Sequence, residues 1–88
     1  MSVRKVVVIT GGSRGIGAAT AKLFAQKGFS VCINYKSNTE AAQALVKEIK
    51  ALGGHCISVQ ADVSKERDVL QLFETADREL GAVSVLVN

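Results

Sequence analysis

The chain has 88 residues, of which 48% are hydrophobic and 22% are charged, and it contains two cysteines and no proline. A chain of this length holds one small hydrophobic core, and this composition excludes a disordered segment, a Pro-rich linker and a disulfide scaffold. No apolar run approaches the ~20 residues that a membrane helix needs. We therefore predict one small domain, or a piece of a larger one, in the reducing cytoplasm and without a membrane partner.

The formal net charge of +3 is unevenly distributed. Residues 1–50 contain eight Lys or Arg and two Glu, a net charge of +6, whereas residues 51–88 contain three basic and six acidic residues, a net charge of −3. The charges form no block and the aromatic content is low, so nucleic acid is not a predicted partner. The basic half suits a local anionic group such as a phosphate. The alternative is that its lysines are solvated on helix surfaces.

The first apolar run, Val6–Thr10 entered through Val3, is rich in β-branched residues, which is typical of a strand buried on both faces. A glycine-rich turn at residues 11–17 follows it. The segment Ile16–Lys27 then predicts a helix that ends at Gly28, where a left-handed cap belongs. The predicted buried stripe of this helix consists of four apolar residues at helical spacing (Ile16, Ala19, Leu23, Phe24).

The same alternation continues to the last residue. Strands are predicted at Ser30–Tyr35, Cys56–Ala61 and Val83–Val87. Ser37 and Glu40 fit a capping box at the start of the second helix, and Ser64 is the predicted N-cap of the third. The second and third helices end at glycines (Gly53-Gly54 and Gly81), and their predicted buried faces repeat every three or four residues (Ala42, Leu45, Val46, Ile49, Leu52; Val69, Leu72, Phe73, Ala76, Leu80).

The resulting order β-α-β-α-β-α-β predicts an α/β fold with a parallel sheet and helices on both of its faces. Because crossover connections are right-handed, few topologies remain. We predict a Rossmann-type, doubly wound sheet with strand order 3-2-1-4. In such a sheet the ligand binds where the strand order reverses, here between the first and the fourth strand.

The turn after the first strand has the pattern T-G-x-x-x-G-x-G, with Gly11, Gly15 and Gly17 as its spaced glycines. Such glycines allow a tight reversal and let a phosphate approach the backbone at a helix N-terminus. A P-loop is excluded, because the Lys and Ser/Thr that it requires after Gly17 are alanines. The G-x-G-x-x-G pattern also fails, because its last position is Thr20.

Three segments together resemble the N-terminal part of the short-chain dehydrogenase/reductase family. Thr10–Gly17 resembles its cofactor motif, Ala61–Val63 its adenine-contacting segment, and Leu86–Asn88 the start of its Asn-Asn-Ala-Gly motif. The resemblance implies an oxidoreductase that transfers hydride between a nicotinamide cofactor and a small alcohol or carbonyl substrate. It also implies that residues 1–88 are the dinucleotide-binding segment of a longer, single-domain enzyme that forms a homo-oligomer.

The resemblance further implies which residues serve the cofactor. In the family, the residue at Asp62 bonds the adenine amino group and the one at Val63 lies against the ring; the alternative for Asp62 is that it only turns the chain. The family's catalytic Ser and Tyr-x-x-x-Lys have no counterpart here, because the position four residues after Tyr35 is Thr39. We predict no catalytic residue, no metal site, structural roles for His55, Cys32 and Cys56, and a set of cofactor-binding residues (Gly11, Ser13, Arg14, Gly15, Ile16, Gly17, Tyr35, Lys36, Asp62, Val63, Asn88).

The residues after the second strand favour NADP over NAD. An NAD enzyme usually has an acid there to bond the ribose 2′-hydroxyl, but the sequence is Asn34-Tyr35-Lys36-Ser37. A 2′-phosphate would instead meet Lys36 and Arg14, with hydroxyls at Ser13 and Ser37 nearby. The alternative for the choice of cofactor is that both cations are solvated.

There are two alternatives for the function. One is that the chain is a stand-alone nucleotide-binding module without catalysis. The other is a methyltransferase, but that class usually has an acid after its second strand, so Tyr35-Lys36 argues against it.

Overall fold

A computed structural model describes residues 4–88, which form a four-stranded sheet and three helices. Val3, which we expected to lead into the first strand, lies outside the described residues. The elements alternate strictly along the chain: β1 (Val6–Ile9), α1 (Gly15–Gln26), β2 (Ser30–Tyr35), α2 (Thr39–Ala51), β3 (His55–Gln60), α3 (Glu66–Leu80) and β4 (Val83–Val87). Strand β1 ends one residue before the predicted end, and β3 lies one residue earlier than predicted.

The sheet is parallel throughout, and its strand order is β3-β2-β1-β4. The predicted Rossmann-type order is therefore confirmed. Because all four strands are parallel, their carboxyl ends lie at one edge of the sheet, and the strand order reverses between β1 and β4, which is where ligands of such sheets bind. The loops at that edge contain the glycine-rich turn, Lys36, Asp62 and Asn88.

Two hydrophobic clusters cover the two faces of the sheet because successive side chains of a strand point to opposite sides. On one face, Val7, Val31 and Ile33 pack with residues of α1 and α2. On the other face, Val8 and Cys32 pack with Leu72 and Ala76 of α3. Most of the predicted buried faces of α3 and α2 is thereby confirmed, although Val69 of α3 is half-buried and lies outside the cluster, and Leu52 of α2 is exposed.

The cysteines lie in these clusters, as predicted, and on opposite faces of the sheet. Burial raises the pKa of both the Cys32 and the Cys56 thiol to about 12. Both thiols are therefore protonated at neutral pH, and a protonated thiol is a poor nucleophile. His55 is the first residue of β3 and is exposed.

Helix α1 packs on the sheet with a different face from the predicted one. Ile16 is 88% exposed and Leu23 is 52% exposed, and Ala19 is also exposed, so this part of the predicted stripe is wrong. A Cβ placed on Gly17 would lie 2.5 Å from the carbonyl oxygen of Gly11, so the helix touches the preceding loop at Gly17. That contact sets the rotation of the helix about its axis. The residues that pack on the sheet are at helical spacing from one another (Ala18, Ala21, Phe24, Ala25).

Helix α2 begins one residue later than the predicted capping box requires. Its N-cap is Asn38, whose Oδ1 accepts a hydrogen bond from the Ala41 backbone N–H at 3.0 Å. The predicted N-cap Ser37 is therefore wrong, and its carbonyl instead accepts from the Thr39 N–H at 3.0 Å. Both Ser and Asn are good N-caps, so sequence preference alone did not distinguish two neighbours.

The glycines at the helix ends behave as predicted. Gly28 and Gly53 have φ values of +88° and +87°, which side chains rarely tolerate. The Phe29 N–H donates to the Phe24 carbonyl at 3.1 Å, which closes the end of α1, and the two rings meet edge to face at 4.9 Å. The chain is thereby turned directly into β2.

Strand β4 lies at an edge of the sheet in the described residues. Its burial alternates, with Val83, Val85 and Val87 half-buried and the residues between them exposed, so it is not buried on both faces. Leu86 is 47% exposed. Strand β4 thus has more apolar residues than are buried by its packing in the described residues.

Candidate functional site

The glycine-rich loop depends on glycine for its backbone conformation at two positions and for a close contact at a third. Gly11 and Gly15 have φ values of +65° and +63°, in the left-handed region. At Gly17 the obstacle is contact, since a Cβ would also lie 2.8 Å from the Cα of Gly12. Substitution there requires a backbone shift. The three spaced glycines thus hold the loop close against the start of α1.

The N-terminus of α1 is open to an anion. Its N-cap residue, Arg14, is extended (φ −157°, ψ 170°) and makes no side-chain capping hydrogen bond within the described residues. The first turn contains no acidic residue. The first N–H groups of a helix lack intrahelical acceptors and lie at the positive end of its dipole, so this end suits a phosphate. Ile16 lies in this first turn and is exposed instead of packing in the core.

Thr10 joins the carboxyl ends of β1 and β4 by hydrogen bonds. The Thr10 N–H donates to the Val87 carbonyl at 2.9 Å, and the Thr10 hydroxyl lies 3.3 Å from Oδ1 of Asn88. The predicted site residue Asn88 is therefore next to the glycine-rich loop. The two segments are 78 positions apart in the chain.

Lys36 lies at the carboxyl end of β2 and faces the end of β3. Its Nζ is 3.9 Å from Oδ2 of Asp62, and its carbonyl accepts from Nε2 of Gln60 at 3.1 Å. The Lys36 side chain is largely exposed, so this ion pair is weak and its charge is available to a ligand. Tyr35 is half-buried and packs against the core. Ser13 is half-buried and Arg14 is exposed in the glycine-rich loop.

Asp62 forms a tight turn with Ser64. Its Oδ1 accepts from the Ser64 hydroxyl at 2.6 Å and from the Ser64 N–H at 3.0 Å. These two hydrogen bonds, hydroxyl first, hold the pKa of the Asp62 carboxyl below its ordinary value, with a smaller contribution from Lys36. The carboxylate is therefore ionised at neutral pH and is a hydrogen-bond acceptor. Val63, beside it, is 50% exposed.

Ser64 is thus not the N-cap of α3, and that prediction is wrong. The helix begins at Glu66 with Lys65 as its N-cap, which makes no side-chain capping bond in the described part of the chain. The Ser64 hydroxyl is already committed to Asp62. Asp68 accepts the Asp62 N–H at 2.8 Å with Oδ2, so this acid fixes the loop from the first turn of α3.

Sequence reasoning assigned no role to the side chain of Asn34, which the structure places between two of these loops. It is 3% exposed, its Oδ1 lies 3.4 Å from the Gly11 N–H, and its Nδ2 donates to the Ala61 carbonyl at 2.9 Å. Its own carbonyl accepts from the Gly12 N–H at 3.1 Å. The available signal was an amide two positions after Cys32, and so on the same buried face of the strand.

The predicted cofactor-binding residues all lie at this one edge of the sheet: Tyr35 is the last residue of β2, and the others are in the loops or in the first turn of α1. Within residues 4–88, the structure shows no group of three or more His, Cys, Asp or Glu arranged to hold a metal ion. None of the helices in this part of the chain is long and apolar enough to cross a membrane.

Residues 5–88 match the sequence profile of a family described as short chain dehydrogenase. The chain belongs to the short-chain dehydrogenase family. An uncharacterized oxidoreductase of Methylorubrum extorquens is 49% identical over 84 residues, which are 96% of this chain and 34% of that protein. This short-chain dehydrogenase segment therefore spans about a third of the length of that relative.

Solved structures agree with this assignment. A short-chain dehydrogenase/reductase of Serratia marcescens matches with a TM-score of 0.93 at 32% identity, over 98% of this chain and 35% of that one. A blue fluorescent protein from a metagenomic library, solved in complex with NADPH, matches with a TM-score of 0.90 at 41% identity, over 96% of this chain and 35% of that one. This segment thus has the Rossmann-like fold of the N-terminal part of short-chain dehydrogenase/reductase structures, and the matched members of the family include oxidoreductases.

Proposed function

We propose that this short-chain dehydrogenase segment binds NADP and belongs to an enzyme that transfers hydride between the nicotinamide and an alcohol or carbonyl substrate. The proposal rests chiefly on the glycine-rich loop, which places a helix N-terminus without a side-chain cap at the edge of the sheet where the strand order reverses. A Cβ at Gly17 would fill the contact that brings helix and loop together. The nicotinamide cofactor supplies the hydride or accepts it.

Each part of the site has a distinct task in this proposal. The loop Gly11–Gly17, with Gly15 and Ile16 in it, holds the pyrophosphate. Asp62, ionised at neutral pH, accepts a hydrogen bond from the adenine amino group, and Val63 packs on the ring. Tyr35 borders the ribose, and Asn88 lies beside Thr10 at the start of the glycine-rich loop. The Ser and Tyr-x-x-x-Lys groups expected from the family would do the proton chemistry from outside these 88 residues.

The preference for NADP over NAD follows from charge. Tyr35 and Lys36 stand at the end of β2, where an NAD enzyme usually has a carboxylate. Lys36 is largely exposed and makes one long ion pair, at 3.9 Å, so it remains able to meet a 2′-phosphate. Arg14 is exposed in the neighbouring loop, and a guanidinium forms charge-assisted hydrogen bonds to phosphate. The two cations together favour the cofactor with the extra phosphate.

The test is a comparison of NADPH and NADH binding to the intact protein by isothermal titration calorimetry. Arg14→Ala should weaken NADPH binding by about 1–3 kcal/mol, a factor of roughly 5–150, and NADH much less. Lys22→Ala is the matched control, because Lys22 is also a cation on α1 but pairs with Glu48 at 2.9 Å, away from the site. It should leave both affinities unchanged.

Two results would contradict the proposal at different levels. An equal loss of NADPH and NADH affinity in Arg14→Ala would show that Arg14 serves the shared pyrophosphate or the fold, and the choice of NADP would then be wrong. An intact wild-type protein that binds neither cofactor, and does not oxidise NADPH with any carbonyl compound tested, would contradict the proposed function as a whole.

A further inference from the structure

Asn34 connects the two loops that the proposed cofactor would touch. Its side chain lies between Gly11, in the glycine-rich loop, and Ala61, the residue directly before Asp62. These attachment points are 23 and 27 positions away from it in the chain. Among the hydrogen bonds between side chain and backbone in the described residues, those of Asn34 are the ones that join these two loops through one buried group.

An amide is the group that this place requires. The Gly11 N–H needs an acceptor and the Ala61 carbonyl needs a donor, and a carboxamide presents one of each about 2 Å apart. A carboxylate of the same shape would accept from Gly11 but could not donate to Ala61. An aliphatic side chain would leave both backbone groups without this partner, and the cost in free energy falls mainly on the Ala61 carbonyl, because Ala61 is buried whereas Gly11 is exposed to water.

The backbone of the same residue strengthens the connection. The Asn34 carbonyl accepts from the Gly12 N–H at 3.1 Å, and the neighbouring Tyr35 carbonyl accepts from the Ala61 N–H at 3.0 Å. The end of β2 is therefore bonded to both flanking loops by main chain and side chain together. The distance between the glycine-rich loop and the Asp62 loop is held by these bonds.

We propose that Asn34 is a positioning residue for cofactor binding, which fixes the spacing of the two loops so that one dinucleotide meets both at once. This inference rests on the proposed function. A ligand that spans two preformed loops gains affinity from their fixed separation, because the second contact is made at a high effective concentration. A ligand that touches one loop alone gains nothing from that separation.

The experiment compares a spanning ligand with its two halves on the intact protein. NADPH is the spanning ligand, adenosine is the probe of the Asp62 loop, and nicotinamide mononucleotide is the probe of the glycine-rich loop. Affinities are measured by calorimetry for NADPH and by NMR titration for the weakly bound halves. The variants are Asn34→Asp, which keeps the shape and the acceptor but removes the donor, and Asn34→Ala. The second variant buries no charge and so keeps the test valid where Asn34→Asp is too unstable.

The matched control is Cys32→Ala. Cys32 lies two residues earlier on the same buried face of β2, is 0% exposed and packs in the α3 cluster away from both loops. The Cys32→Ala variant should have a lower melting temperature because packing is lost. The ratio of its affinity for NADPH to its affinity for each half of the ligand should be the same as in the wild type. The comparison thereby separates loss of stability from loss of loop spacing.

In the Asn34 variants, NADPH affinity should fall by about tenfold or more, whereas the affinity for each half should change by less than about threefold. Unchanged NADPH affinity in folded Asn34 variants would overturn this inference and leave the proposed function intact. A loss for one half as large as the loss for NADPH would also overturn it, because Asn34 would then act within one loop. A wild type that binds neither NADPH nor NADH would overturn both proposals.

Discussion

Replacement of Gly17 by alanine tests the glycine-rich loop most directly. The new Cβ would lie 2.5 Å from the Gly11 carbonyl oxygen, whereas even close carbon–oxygen contacts are about 3.3 Å apart, so the loop or α1 must move by about 0.8 Å. Overpacking of this kind costs about 1–3 kcal/mol, and the better helix propensity of alanine returns at most about 1 kcal/mol. With that return in full, we expect a net loss of about 0–2 kcal/mol in the free energy of unfolding.

The effect of Gly17→Ala on the cofactor should be larger than its effect on stability. The shift displaces the loop N–H groups that we assign to the pyrophosphate, and a hydrogen bond to a charged group contributes about 1.5–3 kcal/mol. Losing one such bond lowers NADPH affinity by about tenfold to a hundredfold. Chemical denaturation measures the first quantity and calorimetric titration measures the second, both on the intact protein.

Gly53→Ala is the control for Gly17→Ala. Gly53 has a φ of +87° and open space around its Cα, at the end of α2 away from the site. Alanine there should cost about 1 kcal/mol of backbone strain and leave NADPH affinity unchanged. The reasoning is refuted if Gly17→Ala binds NADPH as tightly as the wild type, or if Gly53→Ala weakens binding as much as Gly17→Ala does.

Three further results are expected. Ser64→Ala removes the main hydrogen bond that lowers the pKa of Asp62, so the pKa of this carboxyl should rise toward its ordinary value. As the pH is lowered, the variant should therefore lose NADPH affinity at a higher pH than the wild type does, whereas the two affinities should differ little at neutral pH. By the same linkage, the lowered pKa stabilises the wild-type fold above the ordinary carboxyl pKa, and this contribution disappears as the pH falls through the lowered value; denaturation curves of the two proteins that coincide at every pH would contradict this. Cys32 and Cys56 should resist alkylation by iodoacetamide in the native protein and react after unfolding, as read by mass spectrometry; rapid labelling of either in the native state would show that its burial is wrong. Residues 1–88 expressed alone should associate, because the edge strand Val83–Val87 has no charged residue or proline to protect it; a monodisperse monomer in light scattering would contradict this. They should also show no NADPH-dependent carbonyl reduction, because they lack the family's catalytic Ser and Tyr-x-x-x-Lys groups; turnover above background would contradict that.

Local sequence signals predicted most of the architecture. β-branched runs, helical periodicity and glycines at helix ends each depend on a few neighbouring residues, so they can be recognised in the sequence without knowledge of the tertiary structure. The same holds for the glycine-rich turn and for the lack of a carboxylate at Tyr35-Lys36, since both depend on residue type at a fixed distance from a strand. The order 3-2-1-4 followed from the handedness of the crossovers and the doubly wound pattern, and the structure confirms it.

The tertiary structure decided whatever depends on contact between distant segments. The buried face of α1 is set by the approach of Gly17 to Gly11, which overrides the apolar stripe that the helix shows in isolation. Ser64 bonds Asp62 instead of capping α3. Asn34 belongs to the site through partners more than 20 positions away, Gly11 and Ala61. A sequence pattern reports the periodicity and preference of neighbours, but it does not contain the distances across the sheet, and those distances select which polar groups become partners.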